Sequence, residues 1–281
     1  MSGNLTPDSE SGADNPFKHR PALMGILNIT PDSFYPGSRY NANNALNEAE
    51  SMIVSGATWL DIGGESTRPG ASEVSIEREI NRVVPVIREI HRKYPEVLIS
   101  VDTRNHEVAR LAIENGATMI NDVSGLRDQK MVDLVLDKGC LVCIMHMQGE
   151  PGTMQDQPQY ADVIEDVAYY LESKAQELIA RGHNKDKIII DPGIGFGKNH
   201  EHNLALMRAV RRFKASGFGL LWGISRKSVI GQLTGKSDVS QRLAGTLGSS
   251  IFAALNGVDI LRVHDIDEHN DMFNVYQALA D

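Results

Sequence analysis

Short apolar runs, each closing on a polar residue, recur along the chain: Ala22 to Asn28, Thr58 to Asp61, Val97 to Asp102, Thr118 to Asn121, Leu141 to His146, Ile188 to Asp191, Leu220 to Ser225 and Asp259 to His264. Each has strand length. Helical periodicity lies between them, as from Ser75 to Tyr94, where Ile76, Ile80, Val83, Val84, Ile87 and Ile90 fall on one face. Strand and helix alternate throughout, which predicts parallel strands joined by right-handed crossovers. Near-continuous apolar strands are buried on both faces, so a closed (β/α)8 TIM barrel suits the pattern better than an open doubly wound sheet.

No linker divides the pattern, and one barrel domain is expected over 21–281. Residues 1–20, rich in Ser, Asp, Asn and Gly, read as a flexible tail without the apolar core of a signal peptide. The longest stretches with Gly and Pro punctuation, Ile29 to Asn43, Gly63 to Ser75 and Met147 to Tyr160, follow strands, where a barrel carries its working loops and lids. A predicted helix from Ser240 to Asn256 carries Ala244, Gly245, Gly248, Ser249, Ala253 and Ala254. Packing on the barrel and a homodimer face both account for those small side chains.

At 281 residues and 41% apolar content the chain can bury a full core. A net charge of −9 argues against a basic nucleic-acid face. It leaves room for a small anionic substrate, because charges beyond a Debye length of about 8 Å are largely screened and nearby cations dominate. Apolar runs such as Cys140 to Met145 are far shorter than the roughly 20 residues that cross a bilayer, so no membrane span is expected. Cys140 and Cys143 would point to opposite faces of a strand, which spoils chelation and pairing and suits the reducing cytoplasm.

In a barrel, strand-end side chains ring one opening, so Asn28, Asp102, Asn121, Asp191 and His264 should converge. Any one alone reads as a cap or a satisfied polar group; together they are a site. Carboxylates and an amide can pair with the edge of a flat nitrogen heterocycle such as a pterin. Gly223-Ile-Ser-Arg-Lys-Ser228 and Arg262-Val-His264 add cations suited to an anion, with Lys227 and Arg262 better placed than Arg226, which alone reads as exposed surface pairing. Gly197-Lys198 and Gly235-Lys236-Ser237 do not meet the phosphate-loop pattern. Gly193-Ile-Gly195-Phe-Gly197 misses the dinucleotide spacing and reads as backbone shaped for close approach to a ligand.

In order, Met24-Gly-Ile-Leu-Asn-Ile-Thr-Pro-Asp-Ser-Phe34, Asp61-Ile-Gly-Gly-Glu-Ser-Thr-Arg-Pro-Gly70, Ser100-Val-Asp-Thr103, Ile120-Asn-Asp122, Met145-His-Met-Gln148, Asp191-Pro-Gly-Ile-Gly-Phe-Gly-Lys198, Ser225-Arg-Lys-Ser228 and Arg262-Val-His264 closely resemble the dihydropteroate synthases. The resemblance runs from Ala22 to the C-terminus. It implies a cytoplasmic folate-synthesis transferase and sulfonamide target, a homodimer that joins (7,8-dihydropterin-6-yl)methyl diphosphate to 4-aminobenzoate and releases pyrophosphate. It further implies that Asn28 helps hold Mg2+ on the diphosphate and that Asp102, Asn121, Asp191 and Lys227 hold the pterin, with Arg262 against the ring. His264, Arg262, Val263 and Thr67 would face the diphosphate; Phe34, Pro69, Phe196 and Ser228 would form the aminobenzoate pocket, with Arg68 in the same lid. Lys227, Asp102 and Arg262 would carry the catalytic weight.

One segment departs from the family pattern. Tyr35-Pro-Gly-Ser38 follows Phe34 where a small residue, Asp and two glycines are usual, and Pro36 restricts both itself and Tyr35. Two other functions remain open at this stage: a pterin-dependent methyltransferase acting on a corrinoid, and a catalytically idle pterin-binding paralogue.

Overall fold

The computed structural model describes residues 20–29, 38–65, 74–149, 154 and 157–280, the side chains of 38–43 and 280 excepted. Eight parallel strands close into a barrel in sequence order: β1 (Ala22–Asn28), β2 (Trp59–Gly63), β3 (Leu98–Asp102), β4 (Met119–Asp122), β5 (Leu141–Met145), β6 (Ile188–Asp191), β7 (Gly219–Trp222) and β8 (Ile260–Val263). The open sheet is excluded, since β8 pairs with β1 from Ala22↔Ile260 to Gly25↔Val263. Helices α1 (Ser38–Val54), α2 (Ile76–Lys93), α3 (His106–Glu114), α4 (Gln129–Lys138), α5 (Val163–Ala180), α6 (His200–Arg208), α7 (Val210–Lys214), α8 (Ser228–Thr234), α9 (Leu243–Leu255) and α10 (Ile266–Ala280) make the crossovers and close the chain.

Alternation along the strands sorts the core into two layers. Met24, Trp59, Met119, Cys143, Ile189, Leu221 and Ile260 form one buried cluster of their own. These are the inward positions, and they plug the barrel. Their neighbours, among them Leu23, Leu60, Ile99, Ile120, Val142, Ile190 and Leu261, join the larger cluster shared with the helices. Two residues beyond the plug the inward face turns polar, at Asp61, Asn121, Asp191 and Arg262.

The helix expected from Ser75 to Tyr94 is α2 with those residues as its caps; the Ser75 hydroxyl accepts from the Arg78 N–H at 3.4 Å. α1 begins at Ser38, inside the stretch expected to be loop as far as Asn43. The helix expected from Ser240 starts as a 3-10 turn, Val239–Arg242, before α9. Arg20 bonds to Asn270, Asn274 and Gln277 of α10. The tail expected before it lies outside the described residues, as do most of the three expected lids.

Candidate active site

Arg262 reaches from β8 across the barrel mouth. Its Nε donates to Asp61 Oδ2 at 2.5 Å and its NH2 to Asp102 Oδ2 at 2.7 Å. Asn121 Nδ2 donates to the same Asp61 oxygen at 3.1 Å. Asp61 is wholly buried and Asp102 nearly so. Burial and the Asp61 carboxylate push Asp102 above the usual carboxylate range, against the pull of Arg262. Burial alone would lower the Arg262 pKa, but Asp61 and Asp102 together raise it, so the guanidinium stays charged. Asp61 Oδ1 and Asp102 Oδ1 are buried without a partner among the described residues. Buried acceptors are seldom left bare, and two in one polar cluster mark the place of a donor-rich ligand.

The β6–β7 side is built from backbone. Asp191 Oδ1 accepts from the Gly193 N–H at 2.7 Å, and burial raises the Asp191 pKa with Lys227 opposing. Lys227 donates to the Ile194 carbonyl, and its ammonium lies 4.5 Å from the centre of the Phe196 ring. Burial lowers Lys227 to about 8, with Asp191 opposing. Gly223 stands between the two sides: a Cβ there would lie 3.8 Å from Arg262 Cδ and 3.9 Å from Asp191 Oδ2.

At Gly193 and Gly197 the loop approaches neighbouring backbone. Gly193 has φ +66° and Gly197 φ +62°, and a Cβ would fall 1.9 Å from the His146 carbonyl oxygen and 2.5 Å from that of Gln148. Only glycine fits either place.

Ser225 Oγ lies 2.9 Å from His264 Nδ1 and also accepts the His264 N–H, so the ends of β7 and β8 are tied. Ser228 is exposed as the first residue of α8. Val263 alternates with Arg262 and His264, and its side chain enters the outer core, leaving only its backbone for the mouth. Asn28 and Asp102 flank Gly63, since a Cβ there would lie 3.6 Å from Asn28 Oδ1 and 3.5 Å from Asp102 Cβ. Phe34, Thr67, Arg68 and Pro69 lie outside the described residues. Arg226, expected at the surface, is instead mostly buried and grips both Asp265 oxygens.

Two residues were passed over by the sequence argument. Asp61 closes the second apolar run, yet its place under Arg262 and Asn121 gives it the most buried role in the cluster. Its signal was parity with Trp59, which puts both on the inward face. Lys198, dismissed with the phosphate-loop lookalike, is 2% exposed and bonded to backbone.

A family model described as "Pterin binding enzyme" matches residues 24–264. The dihydropteroate synthase of Escherichia coli (strain K12) is 45% identical over 259 residues, covering 92% of this chain and 91% of its own. The chain belongs to the dihydropteroate synthases. Solved members share its barrel: a Xanthomonas albilineans dihydropteroate synthase with 4-aminobenzoic acid superposes with a TM-score of 0.86 at 41% identity, covering 92% of this chain and 93% of that one. Another from the same organism, in complex with 7,8-dihydropteroate, gives 0.83 at 38% identity, with 92% and 94% covered. Membership among the dihydropteroate synthases answers the ordered motifs, makes the chain a transferase and, by the family rather than the class, sets aside corrinoid methyl transfer. No helix among the described residues is long and apolar enough to cross a membrane.

Proposed function

We propose that the barrel mouth binds (7,8-dihydropterin-6-yl)methyl diphosphate beside 4-aminobenzoate and condenses them to 7,8-dihydropteroate and pyrophosphate. The observation that carries this is the pair of unpartnered buried oxygens, Asp61 Oδ1 and Asp102 Oδ1, set beside the Asn121 amide and walled by Arg262. A pterin edge offers ring and exocyclic N–H donors to such acceptors. Asp191 completes the edge, and Lys227, caught between the Ile194 carbonyl and Phe196, donates to the pterin from the other side.

In the reaction the amine nitrogen of 4-aminobenzoate bonds to the pterin methylene carbon while the carbon–oxygen bond to diphosphate breaks. The electron pair leaves with pyrophosphate, and the nitrogen gives up a proton. Electron donation from the dihydropterin supports positive charge on the methylene carbon, so bond breaking runs ahead of bond making. Arg262 and Lys227 supply fixed positive charge where the leaving group gains negative charge, and His264 and Thr67 grip the diphosphate. Phe196 and Ser228, with Phe34, Pro69 and Arg68, form the aminobenzoate side.

Mg2+ is part of this reading. No trio of His, Cys, Asp or Glu that could cage a metal occurs among the described residues. The Asn28 oxygen at the mouth still fits, because Mg2+ takes one or two protein oxygens and fills its shell with substrate phosphate and water. Bound there, it would neutralise the departing pyrophosphate. Asn28 would hold it.

A homodimer through the α6–α9 face is also proposed. Gly245, Gly248, Ser249 and the exposed Phe252 line a groove of about 320 Å³ with Leu204, Met207 and Arg208. Two free thiols, Cys140 and Cys143, suit a cytoplasmic setting.

The test is to incubate the protein with the dihydropterin diphosphate, 4-aminobenzoate and Mg2+ and to measure dihydropteroate and pyrophosphate together. Equal amounts are expected, with turnover abolished in Lys227→Ala and product formation blocked competitively by a sulfonamide. Binding without turnover would instead mark an idle paralogue, and near-normal turnover in Lys227→Ala would sink the site assignment. Light scattering that finds a strict monomer would remove the dimer.

A further inference from the structure

Lys198 is a buried amine outside the cluster that meets the pterin, and burial lowers its pKa to about 7 with Asp191 opposing. Its Nζ lies 3.2 Å from the His146 carbonyl oxygen, 3.0 Å from that of Gly193, 2.9 Å from that of Phe196 and 3.0 Å from His146 Nδ1. Burial drives the His146 pKa down to about 3, so the ring is neutral and Nδ1 can accept. Three carbonyl dipoles and a lone pair thus converge on one point. Without a donor there they would repel one another and remain unpaired in the interior.

The carbonyls come from two loops. His146 follows β5, whereas Gly193 and Phe196 follow β6. The same β6 loop supplies the Ile194 carbonyl to Lys227 and sets the Phe196 ring against the Lys227 ammonium. It is also tied by Asp191 to the Gly193 N–H at 2.7 Å, by Asn203 to the Gly195 N–H at 2.7 Å and by the Tyr160 hydroxyl to the Gly197 carbonyl at 2.7 Å. The Phe196 carbonyl has Lys198 as its anchor.

We propose that Lys198 is a positioning residue for the aminobenzoate half of the site: it pins the β6 loop to the end of β5 through the Gly193 and Phe196 carbonyls and so places the Phe196 wall. The proposal rests on the reading that Phe196 borders 4-aminobenzoate. Lys198 touches no substrate. It works through the loop, and the opposite cluster of Asp61, Asp102, Asn121 and Arg262 is built without it.

Steady-state kinetics on the full chain separate the two halves. Lys198→Met fills the space and removes every donor; its KM for 4-aminobenzoate should rise about tenfold or more, while its affinity for the pterin substrate, measured by calorimetry, changes less than about threefold. Lys198→Gln keeps two N–H donors and should shift the same constant in the same direction by less. Unchanged constants for both ligands, or equal losses for both, overturn the proposal. So does failure of both variants to fold in thermal melting, which would make Lys198 a stability residue only. Phe196→Ala is the control. If it weakens 4-aminobenzoate and Lys198→Met does not, the tether is wrong and the subsite stands; if only Lys198→Met acts, the tether stands and the Phe196 wall falls.

Discussion

On the β2–β3–β8 side of the mouth, Arg262 is held by the carboxylates of Asp61 and Asp102, every contact running between side chains anchored on strands. On the β6–β7 side, Lys227 and Lys198 are held by backbone carbonyls, those of the glycine-rich β6 loop and, for Lys198, that of His146 after β5 as well. The first arrangement balances full charges in direct contact, and the second sets its lysines against carbonyl dipoles, with the Asp191 carboxylate adding to their support. Removing one member of a buried ion cluster leaves an uncompensated charge, which costs about 3–5 kcal/mol, whereas a neutral carbonyl left unpaired costs about 1–3. The strand side is therefore rigid and intolerant. The loop side should lose less for each contact removed.

The largest effect should follow from Arg262→Met, which leaves two carboxylates buried and opposed. We expect a loss of about 3–5 kcal/mol in urea unfolding together with abolished turnover. Adding Asp61→Asn to Arg262→Met should restore part of that stability, with a coupling of about 1–3 kcal/mol between the sites. Additive losses would break the contrast, because they would mean that the two side chains are not compensating one another.

Lys227 sharpens the contrast through pH. Burial lowers it to about 8 in the folded chain, while an unfolded lysine keeps its proton to about 10.4. Between those values the unfolded state binds more protons, so stability gains from rising pH, and the gain is complete above the unfolded pKa. Binding runs the other way, since the ammonium is the form proposed to donate to the pterin. Pterin affinity should fall as pH rises through about 8 while the melting temperature of wild type gains on that of Lys227→Met. Parallel trends would remove Lys227 from the pterin contact.

How much of this was legible in the sequence depends on what each residue faces. β1 and β6 begin and end where their apolar runs do, at Ala22–Asn28 and Ile188–Asp191. The β7 run was drawn to Ser225, but the strand stops at Trp222, because Gly223 to Ser225 leave the sheet to tie the mouth together. Strand parity with Trp59 was the signal that could have put Asp61 on the inward face, and it was not used. What parity could not supply was the guanidinium opposite, 201 positions away in the chain. Lys198 was harder. Lysine is normally exposed, and its partners here are backbone oxygens, which every residue has and no side-chain pattern reveals.

Arg226 gives the smallest expected effect and tests whether the loop side owes its shape to side chains at all. Its Nε and NH2 meet the two Asp265 oxygens at 2.8 and 2.5 Å, with the side chains 24% and 11% exposed. Its backbone is held separately: the N–H donates to Thr246 Oγ1 at 3.1 Å, and the carbonyl accepts from Arg242 NH1 at 2.9 Å. Arg226→Ala should therefore cost about 1–2 kcal/mol of stability and leave both substrate KM values within about twofold, because Lys227 keeps its place. Arg226 also sits at φ +57°, where any Cβ is strained. Arg226→Gly loses the same ion pair but relieves that strain, and should come out roughly 1 kcal/mol more stable than Arg226→Ala. A tenfold rise in either KM for the alanine variant would show that the Asp265 pair, rather than the backbone ties to α9 and the turn before it, carries Lys227 into the mouth.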